Sequence, residues 1–123
     1  MKIRTVLLVD DEAHVVHVMA LKLRNAGYRV VTASDGREGL AAARQELPDL
    51  LITDYHMPGL SGLELCRRLK QSASTSRIPT IMLTARGYEL DEQETLRSGI
   101  LMTVPKPFSP RQLVASVHQL LAA

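Results

Sequence analysis

The sequence predicts an α/β fold in which a parallel sheet is covered by helices on both faces. Short apolar segments alternate along the whole chain with segments of helical periodicity. Most of these short segments are continuously apolar, which is typical of strands buried on both faces of a parallel sheet. Five strands alternating with five helices indicate a doubly wound arrangement with right-handed crossovers.

The five strands are predicted at segments rich in β-branched or aliphatic residues. In chain order they span Thr5–Val9, Tyr28–Ala33, Leu50–Thr53, Thr80–Thr84 and Ile100–Val104. The fifth is less regular than the other four. The segments between the strands, and the segment after the last one, are predicted as helices.

The first three helices are bounded by residues that favour helix ends. The first helix ends at Gly27 and presents one apolar face, formed by Val16, Met19, Ala20 and Leu23. The second helix, Arg37–Glu46, is rich in alanine and ends before Pro48. The third helix begins near Ser61 and carries the apolar residues Leu63, Leu65, Cys66 and Leu69.

The last two helices differ in the strength of their patterns. Leu90–Arg97 is a weak helical pattern, followed by Gly99, which favours a helix end. The final helix has the clearest pattern, with Ser109 as its N-cap and Pro110 at its first helical position. Its apolar stripe consists of Leu113, Val114, Val117, Leu120 and Leu121.

Length and composition predict one domain over residues 1–123 and exclude several classes of protein. With 46% hydrophobic and 23% charged residues, the chain is neither disordered nor fibrous. It has no signal-peptide pattern and no apolar run near the roughly 20 residues of a membrane span. One cysteine excludes a disulfide framework, and a net charge of +2 gives little support to nucleic-acid binding. We expect a cytoplasmic protein that binds neither membranes nor nucleic acid directly.

Polar residues follow four of the predicted strands, where doubly wound sheets bind their ligands. They are Asp10 and Asp11, Asp54, Thr84 and Lys106. Carboxylates that converge at one edge repel one another and raise at least one pKa, unless a cation lies among them. Their oxygens suit Mg²⁺, which binds one or two carboxylates and keeps several waters. A hydroxyl and a lysine beside them could hold a phosphoryl group, and an aspartate there could be its nucleophilic acceptor.

Each of these residues also has an ordinary structural interpretation. Asp10 or Asp11 could cap the first helix, and Asp54 could begin a turn. Thr84 could simply end a strand, and Lys106 could be a solvated charge. Their coincidence at the ends of strands one, three, four and five is what indicates a phosphoryl-transfer site.

Over essentially its full length the chain resembles the receiver domains of response regulators, of the CheY-like type. The matching segments are Val9-Asp10-Asp11-Glu12, Asp54-Tyr55-His56-Met57-Pro58-Gly59-Leu60-Ser61-Gly62, Leu83-Thr84-Ala85 and Lys106-Pro107-Phe108. The resemblance implies a sheet order of 2-1-3-4-5. It also implies a phosphorylation-dependent switch in two-component or phosphorelay signalling.

The resemblance assigns the acceptor and the metal ligands. It implies that Asp54 accepts the phosphoryl group. It implies that Mg²⁺ is bound directly by Asp11 and Asp54, and mainly through water by Asp10. The backbone carbonyl of His56 completes the implied set of protein ligands.

The resemblance also assigns the phosphate-binding residues. It implies that the Thr84 hydroxyl, the Ala85 N–H and the Lys106 ammonium bind the phosphoryl group. The Lys106-Pro107 bond is expected to be cis, a geometry that is readily accessible only before proline. Thr84 is in addition the expected start of the switch toward the output surface.

Two positions depart from the receiver pattern and affect the expected output. Thr103, three residues before Lys106, stands where receivers often carry a switching tyrosine or phenylalanine, so the signal must be transmitted differently. Ile100-Leu101-Met102 is apolar where receivers tend to have small or acidic residues. Either two of these three complete the core, or Leu101 belongs to an apolar contact for a partner or a homodimer. That contact would lie on the face of the fourth helix, fifth strand and fifth helix.

The predicted function is a signalling switch, and we expect it not to be an enzyme beyond catalysing its own phosphorylation and dephosphorylation. A histidine kinase or phosphotransfer protein would phosphorylate Asp54, and a downstream effector protein would read the result. One alternative is a scaffold that works without phosphorylation. An aspartyl-phosphate phosphohydrolase is disfavoured because His56 stands where such enzymes need a second aspartate. Both a stand-alone receiver and a piece of a longer regulator remain open.

Overall fold

The chain forms one five-stranded parallel sheet in the order β2-β1-β3-β4-β5. A computed structural model describes residues 2–85 and 91–122. Its strands are β1 (Thr5–Val9), β2 (Arg29–Ala33), β3 (Leu50–Asp54), β4 (Thr80–Thr84) and β5 (Ile100–Pro105). The predicted fold class and strand order are confirmed, and each strand boundary lies within one residue of its prediction.

Five helices connect and follow these strands. They are α1 (Ala13–Asn25), α2 (Gly36–Glu46), α3 (Gly62–Lys70), α4 (Glu92–Arg97) and α5 (Pro110–Leu121). The fourth helix was predicted to begin at Leu90, which lies outside the described residues. Over residues 2–85 and 91–122, no helix has the length and apolar character needed to cross a membrane.

The sheet separates two apolar cores because alternate strand residues point to opposite faces. Leu7 and Val9 face α2 and α3, whereas Val6 and Leu8 face α1 and α5. β3 and β4 are buried along their whole length. Burying each such aliphatic side chain contributes about 1.5–3 kcal/mol, so the central strands are firmly held.

Side-chain caps begin four of the helices, and α1 is the exception. The side chains of Asp35, Ser61, Asp91 and Ser109 each accept a backbone N–H of the first turn. α1 instead has Glu12 at its N-cap position, without a side-chain cap bond. The expectation that Asp10 or Asp11 caps this helix is therefore wrong. Asp10 Oδ1 accepts the Glu12 N–H at 2.9 Å before the helix begins, while its Oδ2 lies 3.0 Å from Lys106 Nζ.

Two glycines allow the segment that follows Asp54 to pack closely against α2 and α3. A Cβ atom at Gly62 would lie 2.1 Å from the carbonyl oxygen of Asp54. A Cβ atom at Gly36 would lie 2.2 Å from the carbonyl oxygen of Leu60. Real Cβ contacts are never this short, so both positions require glycine for the observed packing. Residues 55–61 are consequently fixed at both ends by direct backbone contact.

Candidate functional site

The predicted site residues lie at the carboxyl end of the sheet, where its register brings them together. Asp54 is the last residue of β3, and Asp10 follows the last residue of the neighbouring β1. On the other side, the Tyr55 N–H donates to the Leu83 carbonyl at 2.8 Å. The Lys106 N–H donates to the Thr84 carbonyl, also at 2.8 Å, so the last two strands remain paired up to the site.

Three carboxylates form a compact cluster at this edge. Oxygen atoms of Asp10, Glu12 and Asp54 all lie within 4.8 Å of one another. Asp10 and Asp54 are only 1% and 6% exposed, whereas Glu12 is exposed. Asp11 is also exposed and is not a member of this cluster, although its charge acts on Asp54. Carboxylate oxygens at this spacing form a donor set suited to a hard divalent cation.

Lys106 links the three carboxylates. Its Nζ lies 2.8 Å from Glu12 Oε1, 3.0 Å from Asp10 Oδ2 and 3.4 Å from Asp54 Oδ1. An ammonium group has three N–H donors, so it can serve all three carboxylates at once. Lys106, predicted as a site residue from its place after β5, therefore lies beside Asp54.

Burial makes the two inner carboxyl groups weaker acids than usual. The pKa of Asp54 is raised to about 6, first by burial, then by the charge of Asp10 and, less strongly, that of Asp11. Lys106 opposes this rise through its charge and hydrogen bond. Burial also raises the pKa of Asp10. The sequence predicted that repulsion between carboxylates would raise a pKa, but burial is the larger cause of the raised pKa of Asp54.

Glu12 and Lys106, at the outer side of the site, have pKa values shifted in favour of their charged forms. The Lys106 hydrogen bond and charge lower the pKa of Glu12. Burial alone would lower the pKa of Lys106, but bonds to Glu12 and Asp10 outweigh it and raise that pKa. Lys106 therefore stays cationic, and the surrounding carboxylates outnumber it. The excess negative charge is what an added divalent cation would neutralise.

The other predicted site residues lie on the segments that follow β3 and β4. His56 is exposed and follows Asp54 by two positions. Thr84 is fully buried at the end of β4, and Ala85 is exposed immediately after it. The Lys106-Pro107 bond is cis, as expected. Their assigned roles in binding metal or phosphate remain predictions.

The apolar segment of β5 is divided between core and surface. Ile100 is 2% exposed, and Met102 packs against the core beneath α1 and α5. Leu101 is 60% exposed, while Thr103 is half-buried. Two of the three apolar residues thus complete the core, which was one of the two interpretations. Leu101 is exposed, as is Leu96 on α4, and the predicted output contact stays open.

Sequence reasoning missed the part played by Glu12. It was noted only as a companion of the two aspartates, yet it makes the shortest contact with Lys106. An acidic residue two positions after Asp10, still at the strand end, was the available signal. Which carboxylate would contact the lysine depends on side-chain directions that the sequence alone does not specify.

Comparisons with known proteins agree with this fold. The family model for the response regulator receiver domain matches residues 6–118. The phosphate regulon transcriptional regulatory protein PhoB of Pseudomonas aeruginosa is 42% identical over 118 residues, which are 96% of this chain and 52% of that protein. The chain thus spans about half the length of the curated relatives it matches.

Solved structures show the same similarity. The chemotaxis protein CheY4 of Vibrio cholerae matches with a TM-score of 0.90 and 32% identity, over 98% of this chain and 100% of that one. The receiver domain of a sensor histidine kinase from Pseudomonas aeruginosa, described with a magnesium ion coordinated in its active site cleft, matches with a TM-score of 0.86. It is 27% identical and covers 99% of this chain and 100% of its own. This chain therefore belongs to the family of response regulator receiver domains.

Proposed function

We propose that this chain is a phosphorylation-dependent switch that accepts a phosphoryl group on Asp54. The observation that carries the proposal is the position of the Asp54 carboxyl group. It lies at the end of a buried central strand, 3.4 Å from the Lys106 ammonium and within 4.8 Å of oxygens from two other carboxylates. A carboxylate with a lysine and other carboxylates beside it combines a nucleophile with partners for the charge of a phosphoryl group.

The donor set of the site fits Mg²⁺, because its buried atoms are carboxylate oxygens. Asp10, Asp54 and Glu12 are the residues that this structure groups, and a related receiver domain is described with magnesium in its cleft. Asp11 and the His56 carbonyl remain further predicted ligands. When bound, the ion supplies positive charge beside the oxygens of the incoming phosphoryl group.

The residues of the chain would carry out the transfer as follows. An Asp54 carboxylate oxygen forms a bond to phosphorus while the bond from phosphorus to the donor's histidine nitrogen breaks. The electron pair of that bond stays with the imidazole, which takes up a proton. Lys106, the Thr84 hydroxyl and the Ala85 N–H then bind the phosphoryl oxygens. For this to occur, Lys106 must exchange some of its bonds with Glu12 and Asp10 for bonds to phosphate.

The donor would be a histidine kinase or a phosphotransfer protein, and the output would be contact with a downstream effector protein. Relatives such as PhoB are named as transcriptional regulators, which supports a regulatory role. The proposed role is that of a switch in the cytoplasm. The domain would catalyse only its own phosphorylation and dephosphorylation. No direct contact with nucleic acid or membrane is part of the proposal.

Leu101 and Thr103 belong to the proposed output route. Leu101 is exposed on the edge strand of the sheet, where an effector or a second copy could contact it. Leu101→Asp should weaken that contact and leave phosphorylation unchanged. Unchanged partner binding and oligomeric state in the phosphorylated variant would contradict this part of the proposal.

Intact-mass measurement with a small-molecule phosphodonor tests the acceptor role. Wild-type protein incubated with acetyl phosphate and Mg²⁺ should gain one phosphate, whereas Asp54→Ala should gain none. EDTA should abolish the gain. If wild type gains no phosphate and also fails to bind beryllofluoride, a mimic that needs no transfer, the proposal is wrong and a scaffold is favoured instead.

A further inference from the structure

A groove of about 510 Å³ lies between α2 and α3, outside the acidic site. α2 lines it with Arg37, Ala41 and Arg44, which share one face of the helix. α3 contributes Arg68 to the opposite wall. The groove therefore places three guanidinium groups around one depression.

In the described part of the chain these three arginines have no acidic partner, whereas some other arginines do. Among the residues that the structure describes, no carboxylate lies within 4.0 Å of their guanidinium groups. By contrast, Arg29 pairs with Glu46 at 2.6 Å, and Arg67 pairs with Glu94. The three guanidinium groups of the groove are thus not neutralised by ion pairs within the described part of the chain.

The acidic residues of the same two helices are engaged elsewhere. Glu38 accepts the Ser34 hydroxyl at 2.7 Å, and Glu46 is held by its ion pair with Arg29. Glu64, which does line the groove, interacts with the Ser61 hydroxyl at the start of its own helix. An incoming carboxylate would consequently meet free guanidinium groups without displacing an existing ion pair.

The floor of the groove is apolar and adjoins the segment after Asp54. Leu40 of α2 and Leu60 of that segment form this floor, and both are buried among the core residues. Ala41, a small and exposed residue, also lines the groove. An occupant could therefore place an apolar side chain between the arginines, where it would lose contact with water.

We propose that this groove binds an acidic segment of a protein partner, with carboxylates on the arginines and an apolar side chain on the floor. Guanidinium groups bind carboxylates in paired hydrogen bonds, which suits this class of ligand. Nucleic acid fits less well, because the described residues of the lining include no aromatic ring on which a base could stack. This surface lies beyond the proposed phosphorylation function and does not depend on it.

Fluorescence anisotropy with a defined peptide tests the surface. The probe is a labelled twelve-residue peptide that repeats Glu-Glu-Leu four times, compared with one that repeats Glu-Glu-Ser. We expect the leucine peptide to bind wild type more tightly, because only it can fill the floor. Arg44→Glu combined with Arg68→Glu should weaken that binding roughly tenfold or more.

The matched control reverses the same number of charges elsewhere. Arg77→Glu combined with Arg111→Glu changes two exposed arginines that do not line the groove and should leave affinity within about twofold. Ala41→Gln, which fills the groove without altering charge, should also weaken binding. Circular dichroism establishes that each variant is folded.

Three outcomes would overturn the inference. The first is no binding of the leucine peptide to wild type at millimolar concentration. The second is an equal loss of affinity in the groove pair and the control pair, which would mean general charge attraction. The third is tighter binding of a labelled twelve-base DNA strand than of the peptide, lost in the groove pair, which would assign the surface to nucleic acid.

Discussion

In the described part of the chain, charged residues contact residues of opposite charge in the acidic strand-end site but not in the α2–α3 groove. In the site, the one ammonium contacts three carboxylates, two of which are almost completely buried. In the groove, three exposed guanidinium groups contact no carboxylate among the described residues. A change in the site should therefore alter folding stability and chemistry together, whereas a change in the groove should alter binding alone.

The largest expected difference between the two regions is in the free energy of unfolding of glycine variants. Gly62→Ala would place a Cβ 2.1 Å from the Asp54 carbonyl oxygen, so the backbone must move, at a cost of about 3 kcal/mol. Gly59→Ala, in the groove lining, meets nothing within 4 Å and strains only its positive φ of 80°. We expect it to cost about 1–2 kcal/mol in urea unfolding. Equal losses would show that the site is not the more tightly packed region.

The next effect is a pH-dependent gain in stability on removing the Asp54 charge. Since the folded-state pKa is raised to about 6, ionisation of this group opposes folding. The contribution of Asp54 to wild-type stability should therefore fall as the pH rises from about 4 to above 6. Asp54→Asn should be more stable than wild type by about 1–3 kcal/mol at pH 8, with a smaller difference at pH 4. A gain that does not change with pH would contradict this electrostatic explanation.

Magnesium should stabilise the wild-type chain by a smaller amount. An ion that binds only the folded state contributes about 1.4 kcal/mol at ten times its dissociation constant. Thermal unfolding with and without Mg²⁺ should show this rise for wild type and for Arg44→Glu combined with Arg68→Glu. Asp54→Asn should lose most of it. A rise that survives in Asp54→Asn would place the ion elsewhere.

The smallest effect is expected from the groove arginines themselves. Arg44→Glu combined with Arg68→Glu breaks no ion pair, so the free energy of unfolding should change by less than about 0.5 kcal/mol. Arg29→Ala is the useful contrast, because it removes the bond to Glu46 at 2.6 Å. A marked destabilisation of the groove pair would mean that these side chains support the fold.

The fold and three members of the site were predictable because both follow from the backbone pattern. Continuous apolar segments give the strands, and parallel strands bring Asp54, Asp10 and Lys106 to one edge whatever their rotamers. The partners that each side chain contacts were not predictable in the same way. Asp10 was expected as a possible helix cap, but its second oxygen contacts Lys106 across 96 residues of sequence.

The pairing of charged residues around the groove was also not predictable from the sequence. Arg44 and Glu46 lie close together in sequence on α2, yet the glutamate pairs with Arg29 of β2 and the arginine pairs with nothing described. The composition gives only a net charge of +2 for the chain and does not tell which charged residues form pairs. Whether a given charge is compensated depends on which surfaces the tertiary fold brings together.

The most direct test of the central claim is chemical mapping of the phosphorylated residue. Borohydride reduces an aspartyl phosphate to homoserine, so wild type treated with acetyl phosphate and Mg²⁺ and then reduced can be digested and sequenced by mass spectrometry. The account predicts homoserine at position 54 alone, and none when Mg²⁺ is removed with EDTA. Homoserine at Asp10 or Asp11, with Asp54 unchanged, would contradict it.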